Sequence, residues 1–175
     1  CMTPTRALLA SEWARYPIEI ARTIMRKSAG LVQDAEFHMT ESTGTDIRGR
    51  LKAWPDGAGF SGGGKLRGGA WIFFPFGNVA LYPAPPVNGR IVFETWEGTA
   101  GILSEPVDLL IKDQRVVQCS GGEEARWFNE MMKRYPNADY CCEITWGISP
   151  VVSLQEGLKQ RACDTLLYRH AGVYH

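Results

Sequence analysis

Val107-Asp108-Leu109-Leu110-Ile111-Lys112-Asp113-Gln114-Arg115-Val116-Val117-Gln118-Cys119 is the stretch that decides the fold. Residues 107–111 and 115–119 are short β-prone runs. The three residues between them suffice only for an antiparallel return. The same signal recurs upstream at 71–74, 79–82 and 90–96, with Pro85-Pro86-Val87-Asn88-Gly89 read as a loop. This half of the chain therefore predicts a compact, mostly antiparallel sheet or small barrel.

Downstream, Gly121-Gly122 lead into a helix over 123–132. Glu123 and Glu124 in its first turn and Lys133-Arg134 in its last complement the helix dipole. Ala125, Phe128 and Met132 share one stripe, which reads as core. A further strand is predicted over 140–147, and Leu154, Leu158 and Ala162 mark a helix ending near residue 168. Gly172-Val173-Tyr174-His175 reads as a strand.

Upstream, the first thirty residues read as helix from a cap at Thr3 or Thr5, interrupted by Pro17 and stopped by Gly30. Residues 34–53 alternate around Ser42-Thr43-Gly44-Thr45-Asp46, the pattern of a hairpin. Residues 55–69 hold seven of the nineteen glycines and read as a surface loop. The expected class is α+β, a mostly antiparallel β core with flanking helices. Residues 1–33 are a helical segment or linker from a preceding domain, and 34–175 form one β-rich domain. Cys at position 1 and an apolar strand at 172–175 read as the ends of an excerpt, truncated at the C-terminus, of a larger two-domain enzyme.

Composition excludes several classes. Nineteen Lys+Arg balance nineteen Asp+Glu, and no basic run exceeds a pair such as Arg26-Lys27, so nucleic acid and anionic membrane are not the expected partners. No apolar stretch approaches the roughly 18 residues of a membrane span. Cys1, Cys119, Cys141, Cys142 and Cys163 form an odd set without C-x-x-C spacing, which predicts reduced thiols and a cytoplasmic setting.

Few residues suggest chemistry by themselves. Gly62-Gly63-Gly64-Lys65 lacks both the earlier glycine and the following Ser or Thr of a phosphate loop. Cys141 and Cys142 alternate across a strand and cannot chelate one ion, so they read as small core residues. Asp46 reads as a turn residue bonding nearby backbone amides. Glu143 is different: it interrupts an apolar and aromatic strand, where a carboxylate needs arginine, amides or a metal ion. His175 ends the last strand, and two such ligands on neighbouring strands would suit one divalent ion.

The order of local phrases resembles the C-terminal part of the thermophilic-type metallo-aminopeptidases, the aminopeptidase T and S group, and the related 2,5-dihydroxypyridine dioxygenases. The phrases are Gly44-Thr45-Asp46-Ile47, Phe74-Pro75-Phe76-Gly77-Asn78-Val79, Tyr82-Pro83, Val87-Asn88-Gly89-Arg90-Ile91-Val92-Phe93 and Leu103-Ser104-Glu105-Pro106-Val107. Gly121-Gly122-Glu123-Glu124-Ala125, Glu143-Ile144-Thr145-Trp146-Gly147-Ile148-Ser149-Pro150 and Gly172-Val173-Tyr174-His175 complete the set. The resemblance implies a metal-site domain over 34–175, Glu143 and His175 as metal ligands, and a later His-x-Asp pair beyond residue 175. It also implies a homodimer.

In the aminopeptidases a metal-binding glutamate stands where this chain has Asn78, while the dioxygenases carry histidine in place of Glu143. A two-metal hydrolase relies on carboxylates to hold both cations, and a neutral amide binds far more weakly. The expected function is a metal-dependent aminopeptidase-like hydrolase using Zn, Co or Mn to activate water against peptide substrates. The alternative is a mononuclear non-haem Fe(II) dioxygenase that opens a small hydroxylated aromatic ring, with Phe74, Phe76, Tyr82 and Trp146 as pocket candidates. A non-catalytic homologue with a degraded site is the third reading.

Overall fold

The computed structural model describes residues 10, 12–32, 34–52, 78–81, 83–96, 101–141, 143–147 and 171–174. The glycine-rich loop, the run at 71–74 and the helix expected around Leu158 lie outside them. In chain order the elements are α1 (Glu12–Arg15), α2 (Ile18–Val32), β1 (Glu36–Thr40), β2 (Asp46–Leu51), β3 (Asn78–Leu81) and β4 (Pro83–Trp96). There follow β5 (Gly101–Lys112), β6 (Arg115–Ser120), α3 (Glu123–Arg134), β7 (Glu143–Gly147) and β8 (Ala171–Tyr174). The class is α+β. The chain divides into two units: Cys1–Gln33, Ala53–Leu81 and Ile144–Gly172 in one, and Asp34–Lys52, Tyr82–Glu143 and Val173–His175 in the other.

In the first unit Pro17 separates α1 from α2, and its carbonyl accepts the Ile20 N–H at 3.0 Å. Gly30 does not stop α2, contrary to expectation: the helix runs on to Val32. A glycine costs a helix only about 1 kcal/mol relative to alanine, which does not end it alone. The left-handed residue is Asp34, with φ 53°, a conformation that Asp tolerates better than most residues. The helix α2 lies against β3.

The second unit is built on a five-stranded antiparallel sheet in the order β1-β2-β4-β5-β6. The hairpin β1–β2 forms as predicted, closed by Gly44 N–H to the Glu41 carbonyl at 3.1 Å. Residues 85–89 are not the predicted loop; they belong to β4, where Asn88 and Gly89 pair with Arg48 and Ile47 of β2. The ladder shifts register between Arg48 and Arg50, and the cis Pro85–Pro86 bond falls at that irregularity. Prolines cannot donate to a ladder, and a bulge is where a strand accommodates them.

The β5–β6 return forms where the sequence places it, with Lys112 opposite Arg115. Its turn residues Asp113 (φ 49°) and Gln114 (φ 68°) are both left-handed, the backbone of a type I′ turn. Asn88 Oδ1 accepts the Asp113 N–H at 2.9 Å. One face of this sheet carries the core: Ile47, Leu51, Val87, Ile91, Val107, Leu109, Ile111 and Val116 are buried, as are Ala125 and Phe128 of α3. Each such aliphatic side chain contributes about 1.5–3 kcal/mol by leaving water. The other face is polar, with Arg90 bonded to Asp108 and Arg50 to Asp34 across strands and turn.

The strand expected over 140–147 begins at Glu143 instead. Tyr140 makes an isolated bridge with Arg115 outside that strand, and the Cys141 N–H is taken by the Gln114 carbonyl at 2.9 Å. Cys141 is buried, as its reading as a core residue required. Among the described residues no helix is long and apolar enough to cross a membrane.

Candidate functional site

A three-stranded sheet in the order β3-β7-β8 carries Asn78 and Glu143, two of the positions singled out for metal binding. Strand β3 runs antiparallel to β7, with Asn78 opposite Gly147, Val79 opposite Trp146, Ala80 opposite Thr145 and Leu81 opposite Ile144. Glu143 is the first residue of β7, so Asn78 registers with the far end of that strand. Four residues of strand, about 13 Å, separate Glu143 from Gly147. Alternation puts position 146 on the opposite face of the pleat from 143 and 147. Strand β8 flanks β7 on the other side, and His175 follows directly on its last residue. His175, Phe74, Phe76 and Tyr82 lie outside the described residues.

The donor set of the sequence, one carboxylate and one imidazole, fits a borderline divalent ion such as Fe(II), Zn or Mn. Among the described residues no group of three or more His, Cys, Asp or Glu side chains is gathered tightly enough to hold a metal by itself. The nearest approach is His38 Nε2 to Asp46 Oδ1 at 2.9 Å, on the exposed sheet face. Arg48 Nε stands 3.7 Å from the same oxygen, a fixed positive charge that opposes a cation there. The Asp46 carboxylate therefore pairs with side chains, where the sequence suggested backbone amides.

The chain entering β7 is held by three consecutive residues of the β5–β6 return. Val116 N–H bonds the Asp139 carbonyl at 2.8 Å. Arg115 grips both Asp139 carboxylate oxygens at 2.7 and 2.8 Å, reaches Asn137 Oδ1 at 3.1 Å, and lies over the Tyr140 ring at 5.5 Å. Gln114 Nε2 donates to the carbonyls of Cys141 at 2.9 Å and Pro83 at 3.3 Å. Sequence reasoning treated Gln114 only as a loop residue. The signal present was a glutamine in a two-residue return, where Gly or Asn is the usual occupant.

Two further features belong to the scaffold. An open groove of about 500 Å³ lies between the end of α3 and residues 135–139, but the Asn137 and Asp139 oxygens on its wall already accept from Arg115. Burial pushes the Cys119 thiol above its ordinary pKa, with the Asp108 charge adding to the effect. The thiol is correspondingly poor as a nucleophile or metal ligand.

The model of the NicX family, 2,5-dihydroxypyridine 5,6-dioxygenase, matches residues 7–165. No curated protein matches the chain. Among solved structures, the 2,5-dihydroxypyridine dioxygenase from Pseudomonas putida KT2440 is similar with a TM-score of 0.66 and 20% identity, over 89% of this chain and 47% of that one. Wild-type AmpT from Thermus thermophilus is similar with a TM-score of 0.59 and 16% identity, over 86% of this chain and 38% of that one. The chain thus spans less than half the length of either. At these identities the likeness is one of fold.

Proposed function

The chain belongs to the 2,5-dihydroxypyridine 5,6-dioxygenase family, and from that premise we propose that the protein is a mononuclear non-haem iron(II) enzyme that opens a small hydroxylated aromatic ring. The observation that carries this reading is the family match across residues 7–165. The sheet order supports it, because β7 begins with Glu143 and the neighbouring β8 leads directly to His175. In this reading the two side chains hold one ion and leave positions open for substrate, as a His/carboxylate iron site requires. A ferrous ion there supplies the redox chemistry that ring opening by dioxygen needs. The register of Asn78 with Gly147 supports a one-ion site, since the neutral amide is then not asked to complete the ligand set of Glu143.

One feature favours a hydrolase as the second reading: position 143 is a carboxylate, the residue type of the metallo-aminopeptidases, where the dioxygenases have histidine. Both readings are tested on protein expressed from its complete reading frame. Reconstituted anaerobically with Fe(II), it is expected to take up oxygen on addition of 2,5-dihydroxypyridine. Release of amino acids from a peptide panel with Zn²⁺, Co²⁺ or Mn²⁺, without oxygen uptake, would establish the hydrolase instead.

A further inference from the structure

We propose that Gln114 is a positioning residue for Glu143, an inference that rests on the reading of Glu143 as a metal ligand. Gln114 is 1% exposed and adopts φ 68°. A side chain larger than Asn in that conformation costs about 1–2 kcal/mol, which glycine would avoid. Its Oε1 is buried and accepts no hydrogen bond among the described residues, a further cost. A turn of this type has no local need for such a residue.

What the side chain does is distant in sequence. Nε2 donates to Cys141 O, two residues before Glu143, and to Pro83 O, two residues after Leu81, the last residue of β3. The amide orientation follows from its partners, since both are carbonyl oxygens and only the NH2 end can face them. The backbone completes the clamp: Gln114 N–H donates to Val87 O at 2.9 Å, and Gln114 O accepts from Cys141 N at 2.9 Å. Cys141 is thus bonded through both its amide and its carbonyl to one residue. An apolar side chain of equal volume would spare the orphaned Oε1 but strip the Cys141 and Pro83 carbonyls of this donor. The glutamine sets where β7 starts, and with it the placement of the carboxylate on its first residue.

The test is Co²⁺ affinity and the visible Co²⁺ spectrum of the protein from its complete reading frame, comparing wild type with Gln114→Met, Gln114→Glu and Glu143→Ala. A lost supporting contact around a metal ligand costs roughly 10–100-fold in affinity, which is the loss expected for Gln114→Met together with an altered spectrum. Gln114→Glu, protonated when buried, can still donate one hydrogen bond and is expected to recover part of the affinity. Wild-type affinity and spectrum in Gln114→Met, with Glu143→Ala strongly weakened, would overturn the positioning role and leave the metal reading intact. Unchanged affinity in Glu143→Ala would overturn the metal reading, and the proposal with it. Should neither Gln114 variant fold, amide exchange in the wild type decides: added protection at Cys141 on Co²⁺ binding supports the proposal, and none overturns it.

Discussion

The α-carbon of Gly89 sits so close to Asp46 that a Cβ built on it would stand 2.2 Å from the Asp46 carbonyl oxygen. Its φ of 141° is equally closed to other residues. This contact locks β4 against β2 just beyond the register shift. Gly89→Ala must move one strand and strain the other, at an expected cost of about 3 kcal/mol or more. A urea titration of the variant should show a lower midpoint with an unchanged slope; an unchanged midpoint would mean that the ladder can slide.

Leu109 and Leu110 are sequence neighbours on opposite faces of β5, 1% and 44% exposed. Truncation to alanine should therefore cost about 2–5 kcal/mol at Leu109, where a cavity is left in the core. At Leu110 the change should stay within about 0.5 kcal/mol. Thermal or chemical denaturation of the pair checks which face is buried, and comparable losses would contradict the assignment.

Cys119 has a thiol pKa raised by burial, so native protein near pH 8 should alkylate at this residue several-fold more slowly than denatured protein. Peptide mapping after iodoacetamide reads this directly. The sign for stability follows. The neutral thiol is the form favoured by the fold, so its contribution is complete below the unfolded pKa of about 8.5 and declines as pH rises through the folded value.

Asn78 pairs with Gly147 and not with the Glu143 end of β7. Under the one-ion reading, elemental analysis of protein from its complete reading frame should find near one metal per chain in both the native form and Asn78→Glu. Two metals per chain already present in the native form would favour the two-metal hydrolase instead.

Much of the β-rich unit was legible in the sequence because its signals are local. Short β-prone runs and the brief return between them give the β5–β6 hairpin, and Ser42-Thr43-Gly44 gives the β1–β2 turn. The charge asymmetry of residues 123–134 marks α3. The strand that begins at Glu143 falls within the run read as a strand over 140–147, while His175 lies outside the described residues. The same local rules misread Pro85 to Gly89, because turn-forming residues look alike whether they end a strand or occupy a bulge within one. Only the pairing with β2 distinguishes the two.

The sequence by itself thus determined the α+β class, the hairpins, the charge-matched helix and, through its phrases, the family. The tertiary structure decided the strand order, the register of Asn78, the start of β7 at Glu143 and the contacts of Gln114. The physical reason is range. Alternation and turn chemistry act between residues a few positions apart, whereas Gln114 meets Cys141 and Pro83 across 27 and 31 residues of chain. Only the folded backbone brings those carbonyls to one amide.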